Sequence, residues 1–274
     1  VERSRGLGDV YKRQGQVFDE EEDELPSDIG SVSGGNDYYN ILPNLTLQWD
    51  VNDELNFNFA FTQSIARPSY YDLVPYEYSN SDDQELALGN PDLKASLSTN
   101  FDIMGEWYFG GLSLLSFGYF SKDIKDWIYQ YTTNNYTYAG VNGYELSQLR
   151  NGEKASVSGF ELGFQTKFLK NFTFMGNYTS TDSSTNNVEG RDDVPLTGQV
   201  DDMYNLSLAF ENSKFFVRAS MNYASEALDE LSGDAYEDRY YDEQTFVDVN
   251  ANYKVNDKLS IFAEGKNLTN QPLR

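Results

Sequence analysis

The 274-residue sequence has no cysteine and no histidine. Their absence removes disulfide frameworks, thiolate nucleophiles, Ser-His-Asp triads, HExxH zinc sites and axial haem histidines together. No cofactor and no enzymatic activity are expected. Basic residues are scarce: 20 Lys and Arg stand against 44 Asp and Glu, a formal charge of −24. A chain this acidic does not bind phosphate backbones by counterion release, which excludes nucleic acid as a partner. No apolar run approaches the ~20 residues of a membrane helix, and residue 1 does not open a signal-peptide pattern.

Aromatic residues are abundant. Phe, Trp and Tyr make up 15% of a chain whose mean hydropathy is only −0.61. Disordered chains are poor in aromatics; high aromatic content with low hydropathy suits β-structure. Two N-terminal segments stand apart. Residues 1–14 carry Arg3, Arg5, Lys12 and Arg13 against Glu2 and Asp9, opposite in sign to the rest. They resemble the translation of a sequencing adapter and are set aside as non-native; a genuine basic N-terminus is the alternative. Residues 15–39 include the six acids Asp19 to Glu24 and read as an acidic extracellular loop or tail.

From Asn40 onward the sequence alternates with period two. Leu45, Leu47 and Trp49 oppose Thr46, Gln48 and Asp50; Phe57, Phe59 and Phe61 oppose Asn56, Asn58 and Ala60; Leu206, Leu208 and Phe210 oppose Asn205, Ser207 and Glu211. Val249 and Ala251 oppose Asp248 and Asn250, and Ile261 opposes Ser260. This pattern predicts ten strands, near 40–51, 55–66, 95–108, 112–131, 153–168, 172–181, 203–212, 215–225, 246–254 and 258–267. Adjacent Leu114 and Leu115 predict a bulge in the fourth.

The connections alternate in length. Tight turns at 52–54, 109–111, 169–171, 213–214 and 255–257 alternate with long loops near 67–94, 132–152, 182–202 and 226–245. Short turns at one end and long loops at the other characterise a transmembrane β-barrel. One strand face is apolar; the other carries Asp102, Glu106, Glu161, Arg218 and Asp248, as expected of a lipid side and a wet lumen. Arg218 is expected to pair with one of the lumen acids. Trp49, Trp107, Tyr108, Phe109, Phe168, Phe172, Phe210, Phe215, Phe216 and Tyr253 cluster by the short turns as an aromatic girdle. The expected fold is all-β: an antiparallel up-and-down transmembrane β-barrel, present as an open fragment of about ten strands. A soluble antiparallel sheet shares the alternation but not the asymmetry of the connections.

Five segments carry a resemblance to a known family. They are Ser64-Ile65-Ala66-Arg67-Pro68-Ser69-Tyr70-Tyr71-Asp72-Leu73-Val74-Pro75, Leu88-Gly89-Asn90-Pro91-Asp92-Leu93-Lys94, Tyr119 to Ile128 (YFSKDIKDWI), Val157-Ser158-Gly159-Phe160-Glu161 and Lys266-Asn267-Leu268-Thr269-Asn270-Gln271-Pro272. In this order, across 40–274, they resemble the barrel of TonB-dependent outer-membrane receptors, most closely the large branch often tied to carbohydrate uptake. The resemblance implies a bacterial outer-membrane location and a 22-stranded barrel around an N-terminal plug that engages the TonB complex. Neither plug nor TonB box is recognisable here, so residues 40–274 are expected to be part of a barrel. Counting back from NLTNxP places residues 40–51 at strand 12.

The long loops hold the candidate ligand residues Tyr70, Tyr71, Tyr76, Tyr78, Tyr136, Tyr138, Tyr240 and Tyr241, whose rings suit stacking on a sugar. Packing within the loops is the alternative for any one of them. Acids crowd the same loops, notably Glu226, Asp229, Glu230, Asp234, Glu237, Asp238, Asp242 and Glu243. They disfavour an anionic ferric siderophore, and no metal site is assigned to them. The expected function is energised uptake of a scarce ligand, an oligosaccharide first and a ferric siderophore second. The remaining expected partners are outer-membrane lipid and lipopolysaccharide. A passive porin or adhesin-type barrel, and a soluble carbohydrate-active β-protein, are the alternatives.

Overall fold

The computed structural model describes residues 2–4, 38–186, 188–232 and 235–272. The acidic tract Asp19–Glu24 lies outside them. In chain order the strands are β1 (Glu2–Ser4), β2 (Tyr38–Asn40), β3 (Asn44–Asp50), β4 (Leu55–Ala66), β5 (Glu77–Asn80) and β6 (Glu85–Leu88). Next come β7 (Ser96–Phe109), β8 (Ser113–Lys125), β9 (Ile128–Tyr138), β10 (Val141–Asn151), β11 (Lys154–Phe168) and β12 (Phe172–Asn186). The last are β13 (Asp202–Glu211), β14 (Phe215–Ala224), β15 (Ala227–Ser232), β16 (Arg239–Tyr241), β17 (Gln244–Asn256) and β18 (Leu259–Gly265). Ala235–Glu237 form one 3-10 turn. β1 pairs with β2, so three residues of the segment set aside as adapter-derived are paired with the chain.

Ten strands form one antiparallel sheet in the order β3-β4-β7-β8-β11-β12-β13-β14-β17-β18, each beside its wall neighbour in the chain. This is the expected up-and-down wall. Its short turns are locally encoded. Asn52 Oδ1 accepts from Glu54 N (2.8 Å) and Leu55 N (2.9 Å), and Asn212 Oδ1 accepts from Lys214 N (2.9 Å) and Phe215 N (2.8 Å). Both are Asx turns, in which the side chain supplies the acceptor that a tight reversal leaves missing. The Gly110-Gly111 pair turns with φ of 57° and 84°, the double left-handed conformation of a hairpin turn matched to strand twist.

Register fixes the two faces. Glu106, Ser116, Gly163, Asn177, Asn205, Asn222 and Phe246 are successive cross-strand partners from β7 to β17. Cross-strand partners share a face, as do residues two apart on a strand. Asp102, Glu106, Glu161, Arg218 and Asp248 therefore all lie on one side. The other side carries Phe57, Phe59, Phe160, Leu162, Leu206, Leu208, Val249 and Ile261. None of these is buried: Leu206 is 41%, Leu208 46% and Ile261 56% exposed. A sandwich would have covered them. From Phe160 to Phe168, β11 travels about 26 Å at ~3.3 Å per residue. At a ~40° tilt that spans ~20 Å of the ~25 Å apolar band of an outer-membrane barrel. At its turn end, Phe168 stacks on Phe172 (5.6 Å), Phe172 meets Phe210 (5.0 Å) and Phe215 stacks on Tyr253 (4.6 Å).

Four expectations are corrected. The fourth strand has no bulge: β8 runs in unbroken register with β7 and β11, with Leu114 on the lumen face and Leu115 on the lipid face. It ends at Lys125, because Asp126 adopts φ 52° and turns the chain away. Tyr108 and Phe216 leave the girdle: their partners Leu114 and Asn252 place them on the lumen face. Arg218 makes no salt bridge among the described residues; it sits opposite Ala209 and Asn250.

The largest departure is in the long loops. They build a second, six-stranded sheet in the order β16-β15-β9-β10-β6-β5, with parallel contacts β10–β6 and β15–β9. Most of the buried apolar residues lie here and at the loop ends of the wall: Trp127, Tyr129, Tyr131, Ala155, Val188, Val194, Leu228 and Leu231 form one cluster, Leu86, Tyr144 and Leu146 another. The wall carries its apolar residues outward; the loops carry theirs inward.

The lipid reading is testable. Leu206→Arg, on the outward face in mid-strand, should cost about 2–4 kcal/mol of barrel stability in vesicles. Thr179→Arg, on the lumen face of the adjoining strand, should cost under ~1 kcal/mol, both read from denaturant unfolding. Equal costs would sink the lipid assignment.

Candidate functional site

The site is built where the loop sheet stands on the wall. Its core is a row of rings at the start of β9: Trp127, just before the strand, stacks on Tyr129 at 4.7 Å, and Tyr129 meets Tyr131 edge-on at 6.4 Å. Val188, 2% exposed, fills the space beside them from the turn after β12. That turn is clamped on both sides. Glu189 Oε1 takes an ion pair from Arg150 on β10 (2.5 Å) and a hydrogen bond from the Tyr129 hydroxyl (3.2 Å). Burial, then the charge of Glu189 and its hydrogen bond, raise the Tyr129 pKa well above its ordinary value. The Arg150 guanidinium also lies 4.3 Å from the Tyr131 ring centroid. On the other side, Arg191 makes a bidentate pair with Asp238 (3.0 and 2.6 Å), whose side chain is only 2% exposed. Asp238 Oδ1 also accepts from Ser232 N at 3.0 Å. One turn thus joins the β9–β10 and β15–β16 hairpins. None of these pairs was legible in the sequence: Arg150 and Glu189 are 39 residues apart, Arg191 and Asp238 47.

Arg239 is also paired, with its side chain still 66% exposed. It pairs with Glu230 and lies 3.6 Å from Asp229. Glu230 is 8% exposed and receives Thr132 Oγ1 and Gln130 Nε2 (3.4 Å). No group of three or more acids is arranged to hold a metal ion among the described residues.

The candidate tyrosines fall into three places. Tyr70 and Tyr71 are 56% and 65% exposed on the 67–76 loop, and Tyr71 stacks on Tyr76 at 4.7 Å. Gly89 holds this loop down: it donates to Tyr76 O at 3.0 Å, and a Cβ there would fall 1.9 Å from Val74 O. That contact explains the glycine in the Leu88–Lys94 motif. Tyr138 donates to Glu77 Oε1 (2.5 Å), which raises its pKa, and meets Tyr144 edge-on at 5.2 Å. It is packing as well as surface. Tyr136 and Tyr78 are exposed nearby, on β9 and β5. Tyr240 and Tyr241 stand exposed on β16, at the far end of the loop sheet. The structure therefore does not gather all eight into one pocket.

On the lumen face, Asp248 is committed to structure. Its Oδ1 accepts from Asn267 N at 2.8 Å, while Thr269 Oγ1 donates to Thr245 O at 2.7 Å. The Lys266–Pro272 motif staples the chain after β18 back onto β17. Asp102 and Glu161 flank a small crevice with Lys122 and Phe120.

Residues 10–268 match the family model described as TonB dependent receptor-like, beta-barrel. The chain belongs to the TonB-dependent receptor β-barrel family. Barrels of this family are outer-membrane proteins of Gram-negative bacteria, and that is the location of this chain. Among solved structures, a mutant ferric enterobactin receptor, PfeA, from Pseudomonas aeruginosa is similar with a TM-score of 0.63 at 19% identity, over 83% of this chain and 34% of that one. The siderophore receptor PirA from Acinetobacter baumannii gives 0.60 at 17%, over 88% and 37%. The ferric-catecholate import receptor Fiu from E. coli K12 gives 0.65 at 15%, over 96% and 36%. The chain spans about a third of the length of these receptors. No curated protein matches the sequence.

The clamp should respond to acid. Burial opposes ionisation of Asp238, but hydrogen bonds from Arg191 and the Ser232 N–H outweigh it and hold the carboxyl below its usual range. A depressed carboxyl stabilises the fold above its unfolded value of ~3.9 and loses that contribution as pH falls through the lower folded value. The protection factors of residues 226–232 and 235–241, that is, exchange corrected for its intrinsic pH dependence, should stay flat from neutral pH to about 4 and fall below it. Arg191→Ala should lower protection there at neutral pH by up to about 3 kcal/mol, the lower end of the loss when one partner of a buried pair is removed, since Arg191 is itself 25% exposed. Unchanged exchange in Arg191→Ala would mean that the clamp does not hold the hairpins.

Proposed function

We infer that the chain forms part of the barrel of a receptor for energised uptake, and that its loops recognise a neutral polyhydroxylated ligand, an oligosaccharide. The pairing of the loop arginines Arg150, Arg191 and Arg239 with carboxylates carries this reading. Lys125 and Lys154 face each other on the lipid side, away from the lumen. An anionic ferric chelate entering this acidic surface needs free cations to offset its charge. A sugar needs ring faces and hydrogen-bonding groups, which the exposed tyrosines and the Asn- and Ser-rich wall supply. Energy would arrive through a plug and the TonB complex, and lipopolysaccharide would surround the lipid face.

A ferric siderophore is the second reading. The similar structures are named as siderophore receptors, and Lys122 and Arg218 face the lumen with no salt bridge among the described residues.

In the intact receptor carrying this segment, Tyr240→Ala and Tyr241→Ala should each weaken binding of a neutral oligosaccharide about fivefold, at ~1 kcal/mol per stacking face. Calorimetric titration with maltohexaose and with ferric enterobactin separates the readings. Tight ferric enterobactin binding, expression induced by iron starvation and no response to any glycan would replace the oligosaccharide with a siderophore.

A further inference from the structure

The loop sheet holds both Asn-Gly steps of the sequence, Asn142-Gly143 and Asn151-Gly152, at the two ends of β10. An asparagine followed by glycine is the step at which a chain most readily attacks itself. Glycine has no side chain to keep its backbone nitrogen from the neighbouring amide carbon, and its backbone reaches conformations that other residues avoid. The structure treats the two steps in opposite ways.

Asn151-Gly152 is locked. Asn151 Oδ1 accepts from Lys94 N at 2.8 Å, and its Nδ2 donates to Lys94 O (3.0 Å) and Asp126 O (2.7 Å). The nitrogen that would attack, Gly152 N, donates to Trp127 O at 2.8 Å. Gly152 is buried against the Trp127 indole: a Cβ there would fall 2.1 Å from Nε1. Reaction at this step requires the loops to come apart first.

Asn142-Gly143 is open. Both residues are exposed. They form a β-bulge: Val141 pairs with Tyr138 and Tyr144 with Tyr136, so the two stand opposite Thr137 alone. A bulge leaves a residue outside the ladder and disrupts the pairing locally. Gly143 has a φ of 103°, a conformation that favours glycine. The Asn142 amide is activated rather than held. Its Oδ1 accepts from Thr137 Oγ1 at 2.6 Å, and a hydroxyl so placed stabilises the negative charge that the oxygen gains when its carbon is attacked. Its Nδ2, unlike that of Asn151, makes no hydrogen bond among the described residues.

We propose that Asn142 is a site of spontaneous covalent modification, converted to aspartate and isoaspartate, while the fold protects Asn151. Gly143 N attacks Asn142 Cγ. The N–Cγ bond forms, the Cγ–Nδ2 bond breaks, and Nδ2 leaves as ammonia with the proton from Gly143 N. Water then opens the succinimide ring at one of its two carbonyl carbons, giving aspartate or isoaspartate, and no other reactant is consumed. The product adds a negative charge to the β9–β10 hairpin, beside Tyr136 and Tyr138.

The test follows the full chain, folded in detergent micelles at neutral pH and body temperature, over weeks. Trypsin separates the two steps, because Arg150 stands between them. Digestion in mild acid suppresses further reaction, and mass spectrometry reads the replacement of the amide NH2 by OH. Asn142 should convert at least about tenfold faster than Asn151, whose reaction waits for local opening. In concentrated guanidinium chloride the two should react at similar rates. Thr137→Val, which keeps the shape and removes the hydroxyl, should slow conversion of Asn142 about fivefold, the effect of one lost hydrogen bond; Thr137→Ser should keep the wild-type rate. Circular dichroism checks that each variant retains its strands. Equal rates at the two steps in the folded chain, or an Asn142 that reacts only once the chain is unfolded, would overturn the proposal. A Thr137→Val chain that reacts as fast as wild type would overturn the activating role of the hydroxyl.

Discussion

The constraint beneath this structure is that lipid offers no hydrogen bonds. Every backbone N–H and C=O in the membrane must be paired within the protein, so the wall has to be a continuous ladder. The eight inner strands of the wall meet that demand by pairing on both sides, and β3 and β18 at its ends pair on one, through unbroken registers from β3 to β14. Continuity then dictates the side chains. A slip of one residue would turn a lipid-facing row inward, so the registers that pair the backbone also sort Phe160 and Leu206 from Glu161 and Asn205. The Asx turns at Asn52 and Asn212 set those registers from below.

Above the membrane the rule reverses. Water is again the solvent, and apolar residues gain by turning away from it. The chain changes behaviour at Asp126, where the left-handed backbone ends β8 and turns Trp127 into a buried position, 4% exposed. From there the loops form a sheet with its own aromatic core, held by pairs between distant residues. The Val188–Arg191 turn is central. Val188 fills the core while Glu189 and Arg191 reach opposite hairpins, so apolar burial and two ion pairs act at one point.

This division explains what the sequence made legible. The wall strands could be read because their neighbours are adjacent in sequence and each alternates against a single lipid side. The loop sheet could not. Its strands pair across parallel contacts between loops far apart in the chain, as Leu231 does with Tyr131, and local alternation is silent about such partners. Leu114 and Leu115 misled because the lumen tolerates an apolar residue; two neighbouring leucines on opposite faces need no bulge. Arg218 was expected to find an acid because charges attract, but its nearest positions across the sheet are Ala209 and Asn250. Of the candidate tyrosines, Tyr138 is bound to Glu77 and packed on Tyr144, while Tyr240 and Tyr241 remain exposed, a distinction that composition alone does not contain.

The same physics bears on the ligand. In a chain of net charge −24, a loop arginine has many carboxylates to choose from. Those at 150, 191 and 239 are spent on holding hairpins together. Arg150 and Arg191 serve as internal struts, while Arg239 pairs with Glu230 and keeps most of its side chain exposed. On the lumen wall the balance differs. Register sets polar groups there in rows, with Asn177, Asn205 and Asn222 side by side on three successive strands. The charged side chains Asp102, Lys122 and Glu161 stand together elsewhere on the wall, so the surface around that row is uncharged. Strand register therefore does two things in one protein: it seals the backbone against lipid, and it sorts the polar side chains onto the lumen face.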